Sequence, residues 1–387
     1  MTGRWSQPIF MKPKIVILSH AFAPFLSGAE FFVKEIVERL GENYDFVILT
    51  SRFQKSLLKT EKMPGCLVKR VGFGLPFYLD KFLFLLAAPF YALKEKPAIL
   101  HCVMESYAGI ALIIFKFFNK KIPTILTLQC GDLDHPKKQK KIPAWLWRKI
   151  HTAPEYITAI SSALAKRAQK LRNSPDNIFV IANGFNSQEI VFNETKIPYR
   201  IVCAARLSWE KGIEYLIKAL PDIRKDFPET RLALIGKGKE RDTLEKLAAD
   251  TGVADIVGFR GFLEHQEALR EIAKANVFVC PSLAEGLGNV FLEAQACKTA
   301  VIGANVGGIP DVIQNSFNGL LVPPQNSQAI ALAVKKIFQD PILAAELIQN
   351  GFETVQKFTW ENTASKINDL YQSIIDDCHS ERVGMSF

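Results

Sequence analysis

The sequence predicts an α/β protein built from two Rossmann-like domains, each a doubly wound parallel sheet, that face each other. Short apolar strands alternate with longer amphipathic helices in both halves of the chain, which is the pattern of parallel α/β sheets. A chain of 387 residues is also too long for one ordinary core. Its composition, 48% hydrophobic and 22% charged, is typical of a folded globular protein.

The first half of the chain contains the elements of one such sheet. The segment 28–40 has apolar residues on one side and is predicted to form an amphipathic helix. A second helix is predicted over 107–118. Buried strands are predicted at 14–18, 46–50, 99–103, 124–128, 157–160 and 178–181.

The second half repeats this order of elements. Strands are predicted at 200–205, 231–235, 256–259, 277–280 and 300–303, with helices at 213–220 and 241–250. We place the link between domains near 192–198 and expect the final helix, about 361–375, to cross back onto the first domain. The predicted domains are therefore 11–195, together with 361–387, and 196–360.

Charge is distributed unevenly between the two halves. Residues 1–200 contain 29 Lys and Arg against 15 Asp and Glu, whereas the remainder contains 19 against 24. The basic half is expected to face something anionic. Nucleic acid is not the expected partner, because the basic residues are dispersed and no nucleic-acid motif is present.

An anionic membrane surface is the partner that this basic half suits better. The segment Phe73–Tyr91 is rich in aromatic residues and Leu, and the basic run Lys137–Lys141 precedes Trp145 and Trp147. Segments of this kind lie in bilayer interfaces. The alternative is that both segments are core helices with solvated lysines. The apolar run is too short to span a bilayer.

The seven cysteines are scattered and odd in number, which indicates reduced core residues rather than a disulfide framework. The N-terminal region lacks the long apolar stretch of a signal peptide. We therefore expect a cytoplasmic protein, with a peripheral position on the inner face of the cytoplasmic membrane as a further hypothesis. Residues 1–10 show no periodicity, and Met11 is a candidate for the physiological start.

The most informative segment runs from Glu285 to Glu293. It follows an apolar strand, its glycines allow a sharp turn, and helical spacing begins at Asn289. This places one carboxylate in the loop and the other in the helix, with free helix amides between them. A nucleoside diphosphate sugar, with hydroxyls at both ends and phosphates between, suits that arrangement. The alternative is a loop Glu and a helical Glu that are merely solvated.

Two cations are predicted at the end of the strand 200–205. Arg206 follows the strand directly and Lys211 comes five residues later, and ligands of such sheets bind beyond the strands' carboxyl ends. An Arg and a Lys can neutralise a diphosphate without a metal. Gly236 after the next strand and Gly28 in the first domain are candidates for turns that phosphate approaches closely.

Taken in order, several short motifs resemble the retaining glycosyltransferases of family 4, also called glycosyl transferase group 1, which have the GT-B fold. The motifs are Ser27-Gly-Ala-Glu30, Ala205-Arg-Leu207, Glu210-Lys-Gly212, Gly236-x-Gly238, the Glu285 to Glu293 segment, Val306-Gly-Gly-Ile-Pro310 and Asn318-Gly-Leu-Leu-Val322. The resemblance covers the chain from Met11 onward.

The resemblance implies a role for each matching residue. Arg206 and Lys211 would grip the donor diphosphate, Glu293 the ribose hydroxyls and Glu285 the hydroxyls of the transferred sugar. Amides near Gly288, Asn289 and Val290 would contact phosphate and sugar, and the loop at Arg260 would lie near the base. It also implies a first domain that binds a glycan or lipid-linked acceptor, a second that binds the nucleotide-sugar donor, and no other cofactor.

The chain departs from the family where many members carry a His after the strand 124–128. Gln129 or Asp132 takes that position here, and Asp132 is our catalytic candidate. Asp132-Leu-Asp134 also matches the metal signature of another glycosyltransferase fold, but we expect no metal site. His101 and His20, on or just after apolar strands, are interpreted as core residues, although His20 is close to the predicted cleft.

The favoured function is transfer of a sugar from a nucleoside diphosphate sugar to an acceptor hydroxyl, with retention, in the synthesis of polysaccharide, lipid-linked glycan or glycolipid. Two alternatives stay open. One is a nucleotide-sugar epimerase of similar two-domain architecture. The other is a non-catalytic membrane-associated partner subunit, since the expected His is absent.

Overall fold

Two largely parallel sheets organise the computed structural model, which describes residues 12–74, 77–129, 142–186, 190 and 194–384. The first sheet contains β1 (Lys14–Leu18), β2 (Asp45–Ser51), β3 (Thr60–Met63), β4 (Cys66–Val71), β5 (Ile99–Val103), β6 (Thr124–Leu128), β7 (Tyr156–Ala159) and β8 (Ile178–Val180). The second contains β9 (Arg200–Ala204), β10 (Arg231–Ile235), β11 (Val257–Gly261), β12 (Val277–Cys280), β13 (Ala300–Ala304) and β14 (Leu320–Val322).

Helices connect the strands. Those of the first domain are α1 (Gly28–Leu40), α2 (Phe77–Glu95), α3 (Tyr107–Phe118), α4 (Ala144–Thr152) and α5 (Ser162–Arg172). The second half contains α6 (Ile213–Asp226), α7 (Arg241–Asp250), α8 (His265–Ala273), α9 (Asn289–Ala296), α10 (Ile309–Val312), α11 (Ser327–Gln339), α12 (Pro341–Val355) and α13 (Trp360–Gly384).

The strand order shows where ligands are expected to bind. It is β3-β4-β2-β1-β5-β6-β7-β8 in the first sheet and β11-β10-β9-β12-β13-β14 in the second. The direction of winding therefore reverses between β1 and β5, and again between β9 and β12. Ligands of open parallel sheets bind beyond the carboxyl ends of the strands at such reversals. The predicted pair of doubly wound parallel sheets is confirmed.

Two local differences from the prediction have physical reasons. Strand β3 is antiparallel to β4, so the first sheet has one antiparallel edge. Helix α6 continues through Pro221 to Asp226, although the sequence predicted an end at Leu220. Its buried positions continue beyond the proline to Ile223. Packing of this apolar face outweighs the hydrogen bond lost at the proline.

The C-terminal helix crosses back onto the first domain, as predicted. Helix α13 packs on α1 and buries Trp360, Ile367 and Tyr371 in the first domain's core. Its start adjoins the end of that domain, because Phe185 N donates to Phe358 O at 2.8 Å. The placement of domain boundaries at 195 and 360 stays a prediction.

Buried polar contacts fix this helix in place. His101 is fully buried, and its Nδ1 lies 2.6 Å from the Tyr371 hydroxyl while its Nε2 lies 2.6 Å from Thr127 Oγ1. Burial lowers the pKa of His101 to about 3, so the ring is neutral. The interpretation of His101 as a satisfied core residue therefore agrees with these contacts.

Replacement of Tyr371 by Phe is expected to lower the free energy of unfolding by about 1–3 kcal/mol, because it leaves a buried imidazole nitrogen without a partner. Differential scanning calorimetry measures this change. Tyr91→Phe is the matched control, since Tyr91 is exposed, and it should unfold like the wild type. Equal stability of both variants would contradict the assigned role of the hydroxyl.

Two further features bear on the sequence predictions. Among the described cysteines, none forms a disulfide: Cys66, Cys102, Cys203, Cys280 and Cys297 are buried, and Cys378 is half-buried. No helix in the described ranges combines the length and apolar character that crossing a bilayer requires.

Candidate active site

A cavity of about 440 Å³ lies between the carboxyl edges of the two sheets. The first domain contributes residues that follow β1, β5, β6, β7 and β8, and the second contributes residues at or after the ends of β9 and β12. The lining residues are Ser27, Gly28, Ala29, Met104, Gln129, Ile160, Asn183, Ala204, Ala205, Arg206, Lys211, Glu285, Gly286, Leu287, Gly288, Asn289 and Val290. Both strand-order reversals therefore open onto one cleft.

The loop between β12 and α9 forms the second domain's wall of this cavity. Gly288 has a φ of +96°, and a Cβ there would lie 2.8 Å from Phe291 Cδ2. Glycine is therefore required where the loop turns into α9. Phe291 N donates to Gly288 O at 2.9 Å, whereas the first amides of a helix generally lack partners within it and favour an anion. The side-chain oxygen of Asn289 is buried and has no partner among the described residues.

Lys211 and Glu285 form an ion pair at the cavity wall, with 2.6 Å between Lys211 Nζ and Glu285 Oε2. Burial lowers the pKa of Lys211, but the Glu285 carboxylate raises it and the net shift is upward. The ammonium is therefore charged. Ser282 Oγ also lies 3.4 Å from the same carboxylate oxygen.

The turn that carries Lys211 is docked against the loop after β12. Leu283 N donates to Glu210 O at 2.7 Å. Gly212 has a φ of +60°, and a Cβ there would lie 2.2 Å from Pro281 O. This close backbone approach holds Lys211 beside Glu285, although the two are 74 positions apart in the sequence.

Arg206 differs from Lys211 in having no partner among the described residues. It follows the end of β9, is exposed, and lines the cavity. No described residue pairs with its guanidinium through a hydrogen bond or ion pair. Because no described residue accepts from its N–H groups, the guanidinium can donate two parallel hydrogen bonds to phosphate oxygens.

Glu293 lies on α9 beyond the cavity lining and is half-buried. Burial raises the pKa of Glu293 from 4.5 to about 7. Within the described part of the chain, its carboxylate has no hydrogen-bond or ion-pair partner. An unpaired carboxylate of this kind can accept hydrogen bonds from hydroxyl groups of a ligand.

The raised pKa of Glu293 predicts a specific dependence of stability on pH. Between pH 4.5 and about 7, the Glu293 carboxyl is protonated in the folded state but ionised in the unfolded state. Stability is therefore expected to fall as pH rises through that window, by about 1–3 kcal/mol for this partly exposed group. Urea unfolding at several pH values measures the effect.

In the Glu293→Gln variant this loss of stability should vanish, so that the variant exceeds the wild type in stability at pH 8. Glu245→Gln provides the control, because Glu245 is an exposed helical residue paired with Arg241. Identical pH profiles for the wild type and Glu293→Gln would show that Glu293 is ionised normally.

The first domain's wall is organised around Gln129. Its side-chain amide pairs with that of Asn183 through two hydrogen bonds, at 3.0 and 3.2 Å. Its backbone N donates to the Glu105 carboxylate at 3.4 Å. Glu105 is fully buried and paired with Arg167, and burial raises its pKa although Arg167 opposes this. The buried ion pair of Glu105 and Arg167 therefore holds the backbone of Gln129 at the cleft.

His20 follows the carboxyl end of β1 but is not among the residues that line the cavity. Its ring contacts that of Tyr107, with 5.5 Å between centroids. Burial, with a smaller contribution from the Lys81 charge, lowers the pKa of His20 to about 4. The imidazole is therefore neutral at physiological pH.

The predicted site residues fall into three groups. Those that line the common cavity are Gly28, Arg206, Lys211, Glu285, Gly288, Asn289 and Val290. Gly236, Arg260 and Glu293 lie outside its lining. Asp132 lies outside the described residues, as does the basic run 137–141. The functional role of every one of these residues stays a prediction.

Gly236 has a structural reason to be glycine. Its φ is +137°, and a Cβ there would lie 2.0 Å from Ala205 O. It therefore lets the segment after β10 approach the one that carries Arg206. Arg260 is exposed on the edge strand β11.

Met104 and Ser282 were not singled out from the sequence. Met104 lines the cavity directly after β5 and has a φ of +77°, which is unusual for a residue with a side chain. Its place at a strand's carboxyl end could have identified it. The contact of Ser282 with Glu285 depends on the folded loop.

Cations and amides, rather than a cluster of metal ligands, dominate this site. In residues that the structure describes, no group of three or more His, Cys, Asp or Glu side chains could hold a metal ion. Arg206, Lys211 and the start of α9 line the same cavity, and cations and helix amides are groups that can bind an anion such as a diphosphate.

Comparisons with known proteins agree with this architecture. Residues 26–189 match the profile of Glycosyltransferase Family 4, and residues 186–354 match that of Glycosyl transferases group 1. An uncharacterized glycosyltransferase of Methanocaldococcus jannaschii is 33% identical over 260 residues, which are 63% of this chain and 66% of that protein. A GDP-mannose-dependent phosphatidylinositol monomannoside mannosyltransferase of Mycobacterium tuberculosis is 37% identical over 244 residues, 58% of this chain and 63% of that protein.

Solved structures share the fold over nearly the whole chain. Sucrose-phosphate synthase from Thermosynechococcus elongatus superposes with a TM-score of 0.79 and 23% identity, over 95% of this chain and 100% of that one. The Anabaena protein HepE, in complex with UDP and glucose, superposes with a TM-score of 0.73 and 20% identity, over 93% and 100%. The chain therefore belongs to the family 4, or group 1, glycosyltransferases and has their GT-B fold.

Proposed function

We propose that the protein is a retaining glycosyltransferase that moves a sugar from a nucleoside diphosphate sugar to an acceptor hydroxyl. The observation that carries the proposal is a cavity that residues of both domains line, with Arg206, Lys211 and Glu285 on one wall. The second domain would bind the donor there, and the first domain would hold the acceptor across the cleft.

The leaving diphosphate would be stabilised by charge. Its developing negative charge would lie against Arg206, Lys211 and the amides at the start of α9, which the fold already holds in position. This arrangement favours a metal-independent reaction, because two side-chain cations would do the work of a metal ion. Activity that is unchanged by EDTA would support this, and its loss, with recovery on added Mg²⁺, would contradict it.

Retention would follow from attack on the face that the diphosphate leaves. Glu285 is the one carboxylate among the described residues that line the cavity, and Lys211 is bound to it. The paired carboxylates of retaining hydrolases are therefore not available from these residues. In the proposed step the acceptor oxygen bonds to the anomeric carbon as the bond to the phosphate oxygen breaks. The acceptor's proton passes to that phosphate oxygen.

The identity of the donor is best approached with a panel of nucleotide sugars. The relative from Mycobacterium tuberculosis is named GDP-mannose-dependent, and HepE is in complex with UDP and glucose. GDP-mannose and UDP-glucose are therefore the first candidates. We place the reaction in the synthesis of polysaccharide, lipid-linked glycan or glycolipid, at the cytoplasmic side of the cell.

The test measures binding and turnover separately. Calorimetric titration with GDP, UDP and their sugars identifies the base, and NMR of the product's anomeric proton reports its configuration. Retained configuration is the expected result. Conversion of the donor without an acceptor would indicate an epimerase, and binding without turnover across the panel would indicate a non-catalytic subunit.

A further inference from the structure

A stripe of large apolar side chains lies exposed on the first domain. Leu79, Phe82, Leu86 and Phe90 recur on α2 at intervals of three and four residues, so they share one helix face. The opposite face is buried through Phe84, Ala88 and Ala92. Helix α2 therefore packs one apolar face into the core and leaves a second one uncovered.

Helix α3 extends this surface. The rings of Phe90 and Phe118 lie 5.1 Å apart, and those of Phe118 and Phe117 lie 5.2 Å apart. The exposed fractions are 58% for Phe82, 45% for Phe90 and 80% for Phe117. We call Leu79, Phe82, Leu86, Phe90, Phe117 and Phe118 the aromatic stripe. Contiguous exposed apolar surface of this kind marks an interaction site.

The charges that accompany the stripe have one sign. Between residues 77 and 121, the exposed charged side chains are Lys94, Lys96, Lys120 and Lys121. The acidic side chains of the same segment are held in structural contacts. Asp80 is buried and accepts from Phe73 N, Glu95 is paired with Lys14 and Lys69, and Glu105 is paired with Arg167.

One end of the stripe lies at the edge of the first sheet that also faces the cleft. Helix α2 begins after the carboxyl end of β4, and near its start the Lys81 ammonium lies 5.3 Å from the centre of the Tyr107 ring. Tyr107 in turn contacts His20, which follows β1. The other end of the stripe, with Lys94 and Lys120, lies at the opposite edge of the sheet.

We propose that the aromatic stripe and its lysines bind the headgroup region of an anionic lipid bilayer and so bring a lipid-linked acceptor to the cleft. Aromatic rings flanked by cations are the side chains that settle in such interfaces. The exposed charges of this face are all positive, so a second copy of the chain offers it no complementary charge. The part of the proposal that concerns the acceptor rests on the proposed function.

Vesicle flotation at low salt tests the binding surface. The wild type is expected to float with vesicles of phosphatidylglycerol and phosphatidylcholine more strongly than with phosphatidylcholine alone. The Phe82→Ser/Phe90→Ser variant should bind the anionic vesicles about 100-fold more weakly, at about tenfold per ring removed from the interface. Lys120→Gln/Lys121→Gln should weaken binding about fivefold per lysine, with less effect at high salt.

Phe317→Ser is the matched control, because Phe317 is 46% exposed on the second domain, as Phe90 is on the first. It should bind vesicles like the wild type. No flotation of the wild type, or equal flotation of Phe82→Ser/Phe90→Ser, would overturn the proposal. A wild-type dimer that the double substitution converts to monomers, without vesicle binding, would also overturn it in favour of a contact between copies.

Nucleotide-sugar titration of the same proteins separates the two proposals. The double variant should bind the donor like the wild type, which shows that its cleft is intact. Donor binding and transfer to a soluble acceptor without any vesicle binding would remove the lipid surface and leave the proposed function standing. Vesicle binding without donor binding would contradict the proposed function and leave the lipid-binding surface standing.

Discussion

Replacement of Arg206 by Ala is expected to lower kcat about 10²–10³-fold, because it removes one cation from the proposed leaving-group site. The side chain is exposed at the end of β9 and has no partner among the described residues. Its loss should therefore leave the free energy of unfolding nearly unchanged. Steady-state kinetics with the identified donor, combined with calorimetric unfolding, measures both quantities.

Arg224→Ala is the control for this experiment. Arg224 lies on α6 of the same domain, is paired with Asp255 at 2.7 Å and does not line the cavity. It removes the same charge from the domain, so any long-range effect of net charge should appear in both variants. Wild-type turnover by Arg206→Ala would exclude Arg206 from the donor site.

The Glu285→Gln variant is expected to lose at least as much activity for a different reason. The carboxylate both lines the cavity and holds Lys211 through the 2.6 Å contact. Gln is similar in size but carries no charge, so the ammonium loses its fixed partner and the hydroxyls of a bound sugar lose an ionised acceptor. We expect a fall in kcat of more than about 10²-fold.

A second effect distinguishes this role from general damage to the fold. Because the Glu285 carboxylate raises the pKa of Lys211, Lys211 should lose its charge at a lower pH in the variant than in the wild type. Donor binding by the variant should therefore begin to weaken at a lower pH as pH increases. Glu240→Gln, outside the cavity lining, should retain the wild-type profile. Full activity of Glu285→Gln would contradict the placement of the sugar.

Much of the fold could be predicted because its strands are buried on both faces. The strands at 14–18, 231–235 and 277–280 have the predicted bounds, since each is apolar apart from the first residues Lys14 and Arg231. Strand β3 was missed. Its residues are exposed or half-buried on the edge of the sheet, so Thr60–Met63 carries little apolar signal.

The sequence could predict the positions of cleft residues that closely follow a strand. Arg206 and Lys211 were located because they follow the carboxyl end of a buried strand. The pairing of Lys211 with Glu285 depends on a backbone approach across 74 residues, which no local pattern encodes. The amide pair of Gln129 and Asn183 likewise joins the ends of separate strands and became evident only in the folded chain.

The return of α13 to the first domain means that the polypeptide passes between the two domains twice. The passages adjoin each other, because Phe185 and Thr359 form a bridge and a Cβ at Gly184 would lie 2.4 Å from Trp360 N. A protease that cut the chain once between the domains would therefore leave them attached through the second passage. Two neighbouring connections also oppose twisting of one domain on the other. They allow rotation about the axis that passes through both connections.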